Sequence, residues 1–290
     1  MRSIRTIFYI SFQNIRKWKT DYRVWMLAIL ILLITHGQIG EISRAAAYIG
    51  TPQTPWIYPF LYAQFYMKLI YTLPLLLLFC DAPFLDNNQG FLISRTGRTK
   101  WCFGQLLYIV LTSAFYYLFI IFLTIFFPLF QMDWTADWGA ILQTLSRTNV
   151  MGQLEITTFT INQNVIAYFT PLQAMWFTFL VSWLSGVFLG FLVYACNICL
   201  QKKVFGGMVG GFLILLSAFL SNENPTGKGA SYFSPMSWNT LNQIDIANMT
   251  NSPSFSYVMT FYLAGSALLI GIILFVNRKM EVTQNGDDRK

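Results

Sequence analysis

Long apolar stretches alternate with short polar and basic ones along this chain. Six of the apolar stretches approach the ~20 residues that a helix needs to cross the ~30 Å hydrocarbon core of a bilayer. The six stretches are residues 24–40, 56–80, 103–127, 172–199, 204–221 and 257–276. The pattern therefore predicts an all-α membrane protein in which six transmembrane helices form one domain over residues 23–276.

The composition supports lipid as the solvent. Of the 290 residues, 55% are hydrophobic and 11% are charged, whereas a soluble domain usually carries about 25% charged residues. The formal charge of +7 does not indicate a nucleic-acid partner, because the basic residues lie between apolar stretches and form no aromatic-rich basic face.

The basic residues also predict how the chain crosses the membrane, since short cytoplasmic loops retain Lys and Arg. Fifteen of the 19 Lys and Arg residues fall on the side of the N-terminus and three on the opposite side. We therefore expect both termini in the cytoplasm, with extracellular segments at 41–55, 128–171 and 222–256 and a cytoplasmic tail at 277–290. The expected location is the plasma membrane of a bacterial cell.

Residues 1–22 carry apolar and basic side chains at helical spacing. Ile4 and Phe8 recur on one side, and Arg5 and Arg16 supply polar positions. This pattern predicts an amphipathic elbow helix that lies in the membrane interface. An unstructured basic tail is the alternative. A cleavable signal peptide is not expected, because no small-residue cleavage site follows the first apolar stretch.

The longest internal cytoplasmic loop, residues 81–102, is a candidate docking segment. It begins with helix-start signals at Asp86 and Asn87. An apolar cluster and then basic residues follow, namely Phe91, Leu92, Ile93, Arg95 and Arg98. Such a segment can form a short helix in a partner's groove while its arginines pair with carboxylates. A loop that only sets topology and binds lipid phosphates is an equally open interpretation.

The sequence lacks the motifs of membrane enzymes. It has one histidine, His36, and neither a zinc pair, nor a nucleophile elbow, nor a phosphate-binding Gly-x-x-x-x-Gly-Lys-Ser/Thr loop. Cys196 and Cys199 have redox-motif spacing, but no second pair completes a zinc site. We therefore expect a non-catalytic subunit without a metal site or a cofactor of its own, for which any ATP use comes from a partner.

The layout resembles the type-2 ABC transporter permease family, the six-span membrane subunits of ATP-driven exporters. Besides the elbow and the six spans, the resemblance rests on two short motifs: Ser94-Arg95-Thr96-Gly97-Arg98-Thr99-Lys100-Trp101 and Phe233-Ser234-Pro235-Met236-Ser237-Trp238. It implies that the loop 81–102 carries a coupling helix seated in a groove of an ABC ATPase subunit, which binds ATP and Mg. It also implies short re-entrant helices before the last span and an export path shared with a second permease subunit, in a homo- or heterodimer.

An aromatic-rich path of this kind suits a hydrophobic or amphipathic substrate such as a peptide, a lipid or a drug. A second hypothesis, from another class, is a non-transport membrane scaffold, sensor or assembly factor that holds a different cytoplasmic partner through the same basic loops.

Two further features are candidates for specific roles. Gly206, Gly207, Gly210 and Gly211 form overlapping Gly-x-x-x-Gly pairs, which allow helices to approach closely, either within the chain or at the subunit interface. Lys68 lies near the centre of the second apolar stretch, where a charge costs at least ~2.5–3.5 kcal/mol. It is a candidate for the export pathway, with snorkelling or structural pairing as the alternative.

The extracellular segment 128–171 is longer than a compact loop. Its apolar and polar positions predict an amphipathic helix on the outer leaflet that includes Asp133, Trp134, Asp137, Trp138, Ile141, Leu142 and Leu145. A polar cap over 157–164 is expected to follow it. We favour a structural lid for this segment over a substrate-recognition element.

Overall fold

The fold is described by a computed structural model that covers residues 2–84, 89–202, 204–220, 230–245 and 252–279. Within these ranges all regular structure is helical, and β-pairing is limited to isolated bridges. Among the described residues, four helices are long and apolar enough to cross a membrane. The predicted all-α membrane class is therefore confirmed.

The helices are numbered in chain order. They are α1 (Arg2–Arg16), α2 (Tyr22–Ile49), α3 (Phe65–Phe79), α4 (Gln89–Thr96), α5 (Arg98–Phe126), α6 (Gly139–Arg147), α7 (Val150–Gln153), α8 (Gln163–Tyr168), α9 (Pro171–Leu200), α10 (Phe205–Phe219) and α11 (Phe255–Lys279). The four candidate membrane spans are α2, α5, α9 and α11. The apolar helices α3 and α10 have 15 residues each, or about 22 Å of length, which is less than the ~30 Å hydrocarbon core.

The helix that contains the first predicted span, 24–40, is longer than that span. The helix α2 runs on to Ile49, so nine residues of the expected extracellular segment 41–55 are helical. It ends at Gly50, whose φ of +74° is the left-handed conformation typical of a helix C-terminus. Helix-favouring residues after the apolar stretch therefore extend the helix beyond the point where hydropathy falls.

The second predicted span, 56–80, is helical only from Phe65 onward. Residues 57–63 instead form turns, including a short 3₁₀ helix at Tyr58–Phe60, and they are buried inside the protein. Pro59 lies in this segment, and its missing N–H disfavours a continuous α-helix. High hydropathy reflects burial in the protein here as well as contact with lipid.

The helix α9 lies at the centre of the bundle. It packs against α3, α5, α10 and α11. In its most apolar stretch, 72% of the residues are buried inside the protein, against 22% for α11. The peripheral helices therefore leave much more of their apolar surface for lipid.

The long helices α2 and α5 begin at the same end of the bundle at which α9 and α11 finish, so the bundle has two distinct ends. At one end, the start of α2 meets the end of α3 through an ion pair between Arg23 and Asp81. At the same end, the Asn277 amide near the end of α11 donates to the backbone oxygen of Arg98 at the start of α5, at 3.4 Å. We name this the α4 end and the opposite one the α6 end.

The helix α6 differs from the amphipathic helix predicted to include residues 133–145. It begins only at Gly139, whose φ is +74°, so residues 133–138 are outside it. Ile141, Leu142 and Leu145 are buried, and α6 packs against α2 and α8. The apolar face of this segment therefore covers the chain's own helices.

Candidate partner-docking site

The α4 helix is joined to α5 by a single residue. Gly97 has a φ of +87°, a conformation that favours glycine, and its amide donates to the backbone oxygen of Ile93 at 2.9 Å. The helix α5 starts at the next residue, Arg98. The corner between the two helices is therefore tight, and α4 is held directly on the end of α5.

The α4 helix presents different faces to the protein and to its surroundings. Leu92 and Ile93 are half-buried against the hydrophobic core. The Phe91 side chain is 74% exposed, and Arg95 and Arg98 are exposed as well. We name Phe91, Arg95 and Arg98 the α4 surface. Of the apolar triplet, Phe91 offers a partner the largest contact area.

Two of the predicted site residues, Asp86 and Asn87, lie outside the described residues. Their expected role at the start of the docking helix stays a prediction.

Near the end of α9, one buried amide joins three segments. The Asn197 side chain on α9 donates to the backbone oxygens of Cys80 at 2.9 Å and Ala82 at 2.7 Å. Its oxygen accepts from the backbone N–H of Gly206 at 2.7 Å. Asn197 therefore joins the end of α3 and the start of α10 to α9. Sequence reasoning missed this residue, although an amide inside an apolar stretch is a recognisable signal.

The predicted N-terminal helix is present as α1 and packs against α5. Asn14 donates to Gln105 at 2.7 Å in a buried contact. A side chain at Gly104 would lie within 2.8 Å of Ile10, so the two helices touch at a glycine. These contacts fix α1 beside the α4 corner.

The outward side of α1 is apolar and exposed. Ile4, Phe8 and Phe12 are each 55–62% exposed, while Arg5 and Arg16 are exposed nearby. Exposed aromatic and aliphatic side chains next to arginines are what an interfacial helix requires.

Lys68 is buried, with 4% of its surface exposed. The helix α3 begins at Phe65, so Lys68 lies in its first turn and not midway along a continuous helix. Its backbone N–H donates to Gln64 at 3.2 Å, and its backbone oxygen accepts from Thr72 at 2.6 Å. A place for Lys68 in an export pathway stays a prediction.

Three of the four candidate glycines serve close packing within the chain. A Cβ added at Gly206 would lie 2.3 Å from the backbone oxygen of Val193 on α9. A Cβ at Gly207 would lie 2.8 Å from Cys80, just after α3, and one at Gly210 would lie 2.5 Å from Leu76 of α3, whereas Gly211 has its nearest neighbour at 3.7 Å. The opposite side of α10 is exposed and apolar at Met208, Phe212 and Leu215, so it is the side left for lipid or a second subunit.

The glycine contacts predict different costs for the same added methyl group. We expect Gly206→Ala to destabilise the protein by about 1–3 kcal/mol, because the clashing atom belongs to backbone and cannot move aside. Gly211→Ala should be neutral, since its methyl group meets ordinary van der Waals distances. Thermal unfolding of both variants in detergent tests this, and equal unfolding temperatures would contradict the contact assignment.

In the described part of the chain, no three His, Cys, Asp or Glu side chains come together in a way that could hold a metal ion. Comparison with known protein families, with curated proteins and with solved structures finds no match in any of the three. The function is therefore inferred from the chain's own residues.

Proposed function

We propose that this protein is the permease subunit of an ATP-driven exporter of the ABC transporter class, acting with a second permease subunit and separate ATPase subunits. The observation that carries the proposal is the α4 surface. Exposed Phe91 and Arg95 lie on the short helix α4, and exposed Arg98 follows as the first residue of α5. A buried aromatic anchor with surrounding charge complementarity is typical of protein docking sites.

The attachment of α4 to α5 supplies a route for mechanical work. The helix α5 has 29 residues and contacts α1, α2, α9 and α11. Movement of a docked ATPase would be passed through the Gly97 corner to α5 and from there to the helices around it. The chain carries no phosphate-binding loop, so ATP and Mg belong to the partner.

The proposal includes six membrane crossings with both termini in the cytoplasm. The short helices α3 and α10 are each neighboured by a buried segment that is not α-helical, residues 57–63 and 234–241. Irregular backbone at membrane depth is tolerated where protein covers it. The second segment contains Trp238, whose indole donates to Ser231 at 2.8 Å, and it supplies the re-entrant element before α11.

The test is purification of the tagged chain from its native membrane in mild detergent. A stoichiometric subunit that has a phosphate-binding loop and hydrolyses ATP is the expected result. A stable cytoplasmic partner without such a loop would overturn the proposal and support the scaffold hypothesis instead. An exporter should also move a hydrophobic or amphipathic substrate across the membrane of reconstituted vesicles, from the ATPase side to the opposite side, only when ATP is supplied on the ATPase side.

A further inference from the structure

A groove of about 360 Å³ opens on the side of the bundle between α2 and α5. Its walls are apolar and are formed by Val24, Leu27 and Ile31 of α2, by Phe115 and Phe119 of α5, and by Leu78 of α3. The two helices do not close over it. Apolar atoms that the protein itself leaves uncovered between two membrane-spanning helices must be covered by another component of the membrane.

The α4 end of the groove is closed by the turn between α1 and α2. The indole of Trp18 donates to the hydroxyl of Tyr108 at 2.9 Å. Its ring also lies edge-on to Phe115, with 6.3 Å between the ring centroids. Trp18 is therefore held in place as a wall, and the neighbouring Lys19, which is exposed, stands at the opening.

The surroundings of this opening are basic. Four Lys and Arg residues lie within 16–23, against one acidic residue, Asp21. The Asp21 carboxylate caps α2 by accepting from the backbone N–H of Arg23 at 3.0 Å, and the Arg23 guanidinium pairs with Asp81. The basic excess therefore falls at Lys19 and its neighbours on the α1 side.

The depth of the groove fits one leaflet. From Val24 to Ile31 the helix rises about 10 Å, which is about two thirds of the ~15 Å of hydrocarbon in half a bilayer. We infer that the groove holds one acyl chain of an anionic membrane phospholipid, with the lipid phosphate at Lys19. Apolar contact alone distinguishes little between lipid chains, so the headgroup charge provides the selectivity.

The test uses the purified full-length protein in phosphatidylcholine vesicles with a minor fraction of phosphatidylglycerol that carries a photoactivatable group in its acyl chain. We expect the label on peptides containing Phe115 and Phe119. Ala28→Trp places a large side chain in the groove, which Ala28 lines, and should lower that labelling at least about fivefold. Leu33→Trp is the matched control, because Leu33 is 61% exposed on α2 and lies outside the lining.

A second variant tests the headgroup without altering the core. Lys19→Glu should lower labelling by phosphatidylglycerol about fivefold or more and leave labelling by a photoactivatable phosphatidylcholine unchanged. Equal loss of both labels, or loss of neither, would overturn the assignment. Label spread evenly over the outer surface of α2 would also overturn the assignment. So would groove labelling that falls as the protein-to-lipid ratio rises, because a second copy of the protein would then cover the groove. No ATPase takes part, so the outcome is independent of the exporter proposal.

Discussion

The Phe91→Asp variant is expected to lose the ATPase subunit while remaining folded in the membrane. Phe91 is 74% exposed, so its replacement removes little from the hydrophobic core. In a docked complex the ring would be the principal apolar contact, and loss of such an anchor costs about 2 kcal/mol or more, roughly thirtyfold in affinity. A new carboxylate would also lie among the partner's own carboxylates that pair with Arg95 and Arg98.

The measurement is retention of the ATPase on the tagged permease, together with ATP-dependent transport. Phe130→Asp is the matched control, because Phe130 is 98% exposed but lies at the α6 end, between α5 and α6. Wild-type retention with Phe130→Asp and loss with Phe91→Asp support the α4 surface. Equal retention by the two variants would remove the α4 surface from the docking site.

A weaker effect is expected at Arg95. Arg95→Glu should reduce ATPase retention without abolishing it, because an exposed arginine at the rim of an interface contributes less than a buried aromatic anchor. The residual binding should fall further as salt is removed, since opposite charges that attract in the wild type now repel. Retention measured at low and high salt tests this, and a variant that binds as tightly as the wild type at both would exclude Arg95.

The sequence predicted where helices occur more accurately than where they start and stop. Apolar residues mark contact with either lipid or protein, and a single sequence does not distinguish the two kinds of contact. The helix α2 therefore extends past its apolar stretch to Ile49, while residues 57–63 are apolar but not α-helical. Helix ends follow local conformations such as the left-handed glycine at position 50, which hydropathy does not register.

The candidate site was predictable in part. The sequence indicated a short helix with an apolar cluster and arginines, but three consecutive residues on a helix point in different directions. Only the fold shows that Leu92 and Ile93 turn inward and Phe91 outward. Asn197 escaped prediction because its partners, Cys80 and Ala82, lie 117 and 115 residues away along the chain.

The Asn197→Leu variant is expected to lower the stability of the whole bundle. The leucine keeps the volume but leaves the backbone oxygens of Cys80 and Ala82 and the N–H of Gly206 without the partner they have in the protein. Hydrogen bonds between membrane helices contribute about 0.6–1.7 kcal/mol each, so loss of three should cost about 2–5 kcal/mol. Asn197→Asp should not restore stability, because its carboxylate would face two carbonyl oxygens.

Asn277→Leu separates this effect from the general cost of removing a buried amide. Asn277 is also buried, at 8% exposure, but within the described residues its side chain makes one long hydrogen bond, 3.4 Å to the backbone oxygen of Arg98. Its replacement should therefore cost about 1 kcal/mol or less. The variants are ranked by their unfolding temperatures in detergent, measured as the loss of monodisperse protein on heating. If Asn277→Leu unfolds at as low a temperature as Asn197→Leu, the three hydrogen bonds of Asn197 do not stabilise the junction of α3, α9 and α10.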